Sequence, residues 1–314
     1  MRSAVCTLYE GDFYLGVGAL INSLVAHHFV GDIFVGYRGE LPTWLKNPKT
    51  ISLDGWNKVC YCDLLNGSKV FFLHLDTPMH FTNYKPQFLI ELTTKTCKDY
   101  ESIIYFDPDI VICKKWKYFE DWIHYGVAVV HDIITNDMPT THPLRKKWSD
   151  IAVQCNKKIQ HQISSYINAG FCGLKKEFWS FIHLWQFYVL YGERHYHSDT
   201  SKFMMKERPF PFRALDQDSL NIAVMTFEGK ISELGPEAMG FVHGVHAMAH
   251  AVGHKKPWNK SYIRAFLTGH PPSFADNNFW QYANGEIKQY NSSKLFLKKM
   301  LISFLNLLGR FYSK

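Results

Sequence analysis

Two short segments far apart in the chain carry residue types that together handle a divalent metal and a diphosphate. Asp107-Pro108-Asp109 offers two carboxylates on a tight turn, and His250-Ala-Val-Gly253-His-Lys-Lys256-Pro-Trp258 offers an imidazole, a glycine and a lysine in fixed order. Pro108 holds Asp107 extended, and residues two apart in an extended segment share a face, so both carboxylates can approach one cation. Hard oxygen ligands favour Mg²⁺ or Mn²⁺, and an added imidazole tilts the choice toward Mn²⁺. Gly253 lets backbone come close to a phosphate, and Lys256 supplies a point charge for a leaving diphosphate. The neighbouring His243, His246 and His254 invite a zinc reading, but Gly244, Gly253 and Pro257 break the helix that their spacing would need.

These residues need a scaffold that delivers them to one place. Ile103–Phe106 is an apolar run ending at Asp107, and it reads as a buried strand whose carboxyl end presents the acids. Ala4–Leu8, Asp32–Tyr37, Lys69–Leu73, Val127–Val130 and Ile167–Leu174 read as further strands. Phe13–His27, Pro86–Thr94, Phe178–Tyr191 and Leu215–Val224 have helical spacing, the last with Asp216 or Asp218 as its cap; His142–His161 reads as polar, helical or irregular. Strands alternating with helices predict an α/β fold with a mostly parallel, doubly wound sheet. Composition shifts near residue 270, which divides the chain into 1–270 and a C-terminal extension, 271–314. Lys294–Tyr312 closes the extension as a helix with a polar stripe (Lys294, Lys298, Lys299, Ser303, Asn306, Arg310) beside a wide apolar face. It reads either as a terminal helix packed on the core or as a foot in a membrane interface.

The 314 residues are 46% hydrophobic and 20% charged, ordinary for a globular chain, with formal charge +7, which suits anionic ligands. No basic run with interleaved aromatics argues for nucleic acid. Seven scattered cysteines without Cys-x-x-Cys read as reduced, buried thiols. The opening MRSAVCTLYEGD lacks a leader's apolar run, and no stretch is long enough to span a membrane, so a cytoplasmic location is expected. The sequons at Asn259 and Asn291 then carry no meaning.

Five motifs fall in one order: Thr7-Leu-Tyr-Glu-Gly-Asp-Phe-Tyr14, Tyr105-Phe-Asp-Pro-Asp109, Asn168-Ala-Gly170, Asp216-Gln-Asp-Ser-Leu-Asn221 and His250–Trp258. In this the chain resembles glycosyltransferase family 8, which includes glycogenin and bacterial lipooligosaccharide α-galactosyltransferases, over residues 4 to about 260. The resemblance implies the GT-A fold, a Rossmann-like sheet flanked by helices, and a UDP-sugar donor used with Mn²⁺ and retention of configuration. It implies that Thr7, Leu8 and Tyr14 form the uridine pocket, and that Asp107, Asp109 and His250 bind the metal. Gly253 and Lys256 would hold the diphosphate, and Asn168 and Asp216 the donor sugar. Gln217 would lie beneath the anomeric carbon, Asp132 would line the sugar or acceptor pocket, and Lys85 would be the basic residue on the helix before the metal turn. Tyr9-Glu10-Gly11 replaces the small or polar residues of the relatives; Ser149–Ser165 and His195–Phe212 have no counterpart, and they are expected to shape the acceptor side.

The expected activity is metal-dependent, retaining transfer of a hexose, galactose or glucose, to a glycan or glycolipid acceptor in surface polysaccharide or lipopolysaccharide synthesis. The expected location is the cytoplasmic face of the inner membrane, touched peripherally by the last helix. The alternatives are an inverting GT-A transferase with Asp132 or Asp218 as base, a self-glycosylating primer like glycogenin, an inactive nucleotide-sugar scaffold and a zinc hydrolase.

Overall fold

The computed structural model describes residues 2–133, 137–205 and 211–311. Strands β1 (Ser3–Glu10), β2 (Asp32–Arg38), β3 (Lys49–Leu53), β4 (Trp56–Asp63), β5 (Lys69–His74) and β6 (Ser102–Phe106) come first. They are followed by β7 (Ile110–Ile112), β8 (Val127–His131), β9 (Ile167–Lys175), β10 (Ile231–Leu234) and β11 (Met248–His250). Nine of these form one sheet in the order β10-β8-β9-β6-β1-β2-β5-β4-β3, and β11 pairs with β7 in a separate ladder. Within the large sheet only β9 and β4 run against the rest. The central strands β1 and β6 are buried on both faces, which is why they read as continuous apolar runs rather than alternating ones.

Both faces are covered. Helices α1 (Tyr14–Ala26), α2 (Phe81–Glu91) and α3 (Trp116–Trp122) come from the first half, and α4 (Pro143–Gln154), α5 (Ser180–Tyr196) and α6 (Leu215–Thr226) from the second. One core joins Phe88, Leu89, Trp148, Trp185 and Leu220 from α2, α4, α5 and α6 to the inward residues Leu8, Ile103 and Val129 of the sheet. The other joins Leu20, Leu24 and Phe119 from α1 and α3 to Val5, Ile33 and Ile104. A third cluster lies under α7 (Tyr262–Leu267), α8 (Phe274–Tyr282) and α9 (Ser292–Gly309), where Phe266, Trp280, Leu295, Ile302 and Leu305 pack on Ala19, Val111 and Ala249. This helical layer begins at Tyr262, ahead of the composition shift near 270.

Several local readings need correction. Helix α2 starts at Phe81, not Pro86, because the His80 side chain accepts from Thr82 N and caps it there; Pro86 sits inside, and a π turn, Leu92–Thr96, ends the segment. Neither Asp216 nor Asp218 is the N-cap of α6; that position is Ala214, and Asp218 Oδ2 instead accepts from the Ala214 N–H at 2.8 Å. All seven cysteines are free, but Cys60, Cys62, Cys113 and Cys155 are only partly buried. On α9, Lys298 lies 5.3 Å over both the Tyr262 and Trp280 rings and so leaves the polar stripe. Phe296, Leu297, Met300, Phe304 and Leu307 are exposed, and Phe311 beyond the helix is too. Tyr312, the expected end of this segment, lies outside the described residues. Among the described residues no helix is long and apolar enough to cross a membrane.

Candidate active site

The site is built where β6 ends. Asp107 N donates to Gly170 O at 2.7 Å, continuing the β6–β9 pairing one residue further, and Ile110 N returns to Asp107 O at 3.1 Å. Asp107–Ile110 is therefore a closed turn, and the turn brings the two carboxylates together. Helix α1 is pressed against the turn: a Cβ on Gly16 would lie 2.1 Å from the Pro108 carbonyl oxygen.

The β7–β11 ladder brings in the third group. Its register pairs His250 with Ile110, and Ala251 N donates to Asp109 O at 3.0 Å. His250 Nε2 thereby sits 3.3 Å from Asp109 Oδ1 and 3.9 Å from Asp107 Oδ2. One ligand atom each from Asp107, Asp109 and His250 fall within 4.8 Å of one another, the one such group among the described residues. The imidazole rests over Gly170, where an added Cβ would come within 2.5 Å of His250 Cε1. His246, by contrast, is committed to Glu237 O at 2.8 Å.

Two lysines flank the acids. Lys256 Nζ bonds Asp109 Oδ2 at 2.6 Å and Ala251 O at 2.9 Å. Burial opposes ionisation of Asp109, but His250 and Lys256 outweigh it and hold the carboxyl well below the usual range. Lys85 is 2% exposed and sits 3.0 Å from Asp107 Oδ1, 3.3 Å from Asp216 Oδ2 and 3.0 Å from Ala169 O. Burial pulls its pKa down, and the two carboxylates more than reverse that, leaving it raised. Gly253 has φ +96°, a conformation glycine tolerates, with no neighbour near its missing Cβ.

A second group lies beside the first. Asn168 Nδ2 and Gln217 Nε2 both donate to Asp132 Oδ2, at 2.7 and 3.1 Å, and Gln217 Oε1 accepts from Ala169 N at 3.1 Å. Asp132, Asn168, Asp216 and Gln217 therefore share one wall, reached from β8, β9 and the first turn of α6. Thr7 is buried with its hydroxyl unpartnered, and Tyr14 opens α1 two residues before the Gly16 contact with Pro108. The Leu8 side chain is buried in the core with Phe88 and Ile103.

Other residues gain a place that spacing did not single out. Tyr105 OH donates to Asp107 Oδ1 at 2.8 Å, and Trp185 Nε1 donates to Asp216 O at 2.8 Å. Tyr105 and Asp107 are two apart along one strand, so the sequence did carry that signal. Asp218 is buried, accepting from Tyr166 OH at 2.7 Å, and burial pushes its carboxyl up to about 7. His195 stacks on Tyr191 at 4.3 Å and His197 caps α5, so neither joins this network.

No family model and no curated protein matches the chain. Solved structures do. The bifunctional glycosyltransferase WbbM aligns with TM-score 0.54 and 14% identity over 95% of this chain and 52% of its own. Glycosyltransferase GlyE of Streptococcus pneumoniae TIGR4 aligns with TM-score 0.50 and 12% identity, over 96% of this chain and 64% of its own. Galactosyltransferase LgtC, solved with donor and acceptor sugar analogs, aligns at 0.50 and 12% over 92% of this chain and 98% of its own. The chain thus spans about half of the first and under two thirds of the second. At such identities the likeness establishes the fold: a glycosyltransferase fold of the GT-A type, as the motif resemblance implied.

Proposed function

We propose that the chain is a metal-dependent retaining glycosyltransferase that moves a hexose, galactose or glucose, from a UDP-sugar to a hydroxyl of a glycan or glycolipid. The observation that carries this reading is the convergence of Asp107, Asp109 and His250 beside Lys85 and Lys256. Two carboxylates and an imidazole seated on Gly170 fit Mn²⁺ or Mg²⁺. When bound, the cation would neutralise charge on the diphosphate.

The chain's own residues supply the rest. Thr7, Leu8 and Tyr14 bind uridine; the buried Thr7 hydroxyl has no partner within the chain. Lys256 and the Gly253 backbone meet the diphosphate. Lys85 fixes Asp107 and Asp216 in one orientation. Asn168, Asp132 and Asp216 line the sugar. Gln217 lies beneath the anomeric carbon; a neutral amide is a poor nucleophile, which favours attack from the departing face, the acceptor's proton passing to the leaving phosphate. The two carboxylates an inverting route could use as base are both buried and already engaged, Asp218 by Tyr166 and Asp132 by Asn168 and Gln217.

The apolar face of α9, edged by the exposed Lys294, Lys299 and Arg310, supports peripheral contact with an anionic membrane and hence a membrane-borne acceptor in surface polysaccharide synthesis. On this reading residues 1–270 are the catalytic unit and 271–314 its attachment. The test is the anomeric configuration of the product by NMR. A UDP-α-hexose should give an α-linked product; a β-linked one would overturn retention and point to Asp132 or Asp218 as base.

A further inference from the structure

We propose that Phe203, backed by His80, is an aromatic platform on which a pyranose ring of the acceptor stacks; this rests on the transfer reading above. Phe203 is 52% exposed and Met204 beside it 40%. Exposed aromatic side chains on loops are usually mobile tips, but this one is held from below. Asn83, fully buried on α2, donates through Nδ2 to Thr200 O at 2.9 Å and to Lys202 O at 2.8 Å. His80 N donates to Thr200 O at 2.9 Å, and Asp199 Oδ1 accepts from Ser201 N at 3.0 Å and from its hydroxyl at 2.6 Å. The Phe203 ring then lies 5.7 Å from the His80 ring, which is itself fixed by the Nδ1 contact to Thr82 Oγ1 at 2.8 Å. The turn leading to His80 is fixed as well, since Arg38 Nη1 donates to Thr77 O at 2.7 Å and Met79 O at 3.2 Å.

The platform is also in the right place. His80 caps the helix whose Lys85 bridges Asp107 and Asp216, and five residues of helix advance roughly 7 Å. Phe203, packed on His80, is therefore held at the N-terminal end of the helix that carries Lys85, outside the carboxylate and lysine network. A pyranose has an apolar face of C–H groups, and covering it with a rigid, pre-placed ring removes apolar surface from water at little ordering cost. The loop that carries Phe203 belongs to the stretch His195–Phe212, expected to shape the acceptor side, so it would set what this chain accepts.

The test measures binding of methyl β-D-galactopyranoside and methyl β-D-glucopyranoside to the full chain with UDP and Mn²⁺ present. Wild type should bind at least one of them. Phe203→Ala should weaken that binding about tenfold, the size expected for uncovering one ring face, and Phe203→Trp should keep it. UDP affinity and melting temperature should stay unchanged in both variants. Unchanged pyranoside binding in Phe203→Ala, equal loss of UDP binding, or no binding of either glycoside by wild type would overturn the platform. Failure of wild type to bind UDP is a separate outcome that sinks the transfer reading and this proposal with it.

Discussion

Replacing Lys85 with methionine removes the one cation that sits between two inward-facing carboxylates. Its ammonium is 3.0 Å from Asp107 Oδ1 and 3.3 Å from Asp216 Oδ2, with side chains 3%, 19% and 7% exposed respectively. Breaking a buried ion pair by deleting one partner costs about 3–5 kcal/mol, because the other charge stays buried and unpaired. The partial exposure of Asp107 lets water share that cost, so the lower end, about 3 kcal/mol, applies. At about 2.1 cal/mol/K of unfolding entropy per residue, each kcal/mol moves the Tm of a 314-residue chain by roughly 1.5 °C, so Lys85→Met should melt about 4–5 °C below wild type in metal-free buffer. A divalent cation on Asp107 would restore part of the missing charge, so saturating Mn²⁺ should narrow the gap. Lys85→Arg keeps the charge and should lose less than half as much. Thermal melts of the three proteins with EDTA or Mn²⁺ measure all of this. A Lys85→Met protein melting with wild type, or a gap that Mn²⁺ leaves untouched, would refute the reasoning that Lys85 neutralises a metal-binding acid.

Other perturbations read different parts of the account. Burial raises Asp218 to about 7, above its unfolded value of about 3.9, so its favourable contribution is complete in acid and is lost as pH rises toward 7. Asp218→Asn should therefore gain stability relative to wild type between pH 5 and pH 8, and melts that stay parallel across that range would contradict the assignment. Gly16→Ala drives a methyl to 2.1 Å from Pro108 O, so the Asp107–Asp109 turn must shift. Affinity for Mn²⁺, read by electron paramagnetic resonance, should fall at least tenfold. Phe304→Asp with Leu307→Asp breaks the apolar face of α9 at two residues that are 57% and 53% exposed, so melting should not change. Co-sedimentation with anionic phospholipid vesicles should drop about tenfold or more; retention of wild-type binding would remove α9 as the membrane contact.

Much of this site could be read before folding because its parts sit next to strong local signals. Asp107 follows an apolar run that had to be a buried strand, and the run from His250 to Lys256 keeps its chemistry within a few residues. What stayed hidden depends on pairing between distant segments. Strands β7 and β11 are three residues each, too short for any period to register, yet their ladder is what sets His250 against Asp109. Strands β3 and β4 are largely exposed and alternate weakly, so no apolar pattern marked them. The start of α2 was missed because a histidine, not a serine or aspartate, caps it, and Pro86 suggested a first turn where there is an interior.

The central claim is that Asp107, Asp109 and His250 hold a cation that helps bind a UDP-sugar. Thermal stabilisation of the purified chain against a panel of UDP-sugars, with and without Mn²⁺, tests it most directly, since a ligand of the native state raises Tm by mass action. A rise with one UDP-hexose that requires Mn²⁺ and disappears in Asp109→Asn is expected. A rise of equal size without metal, or one given only by a nucleotide with another base, would contradict it.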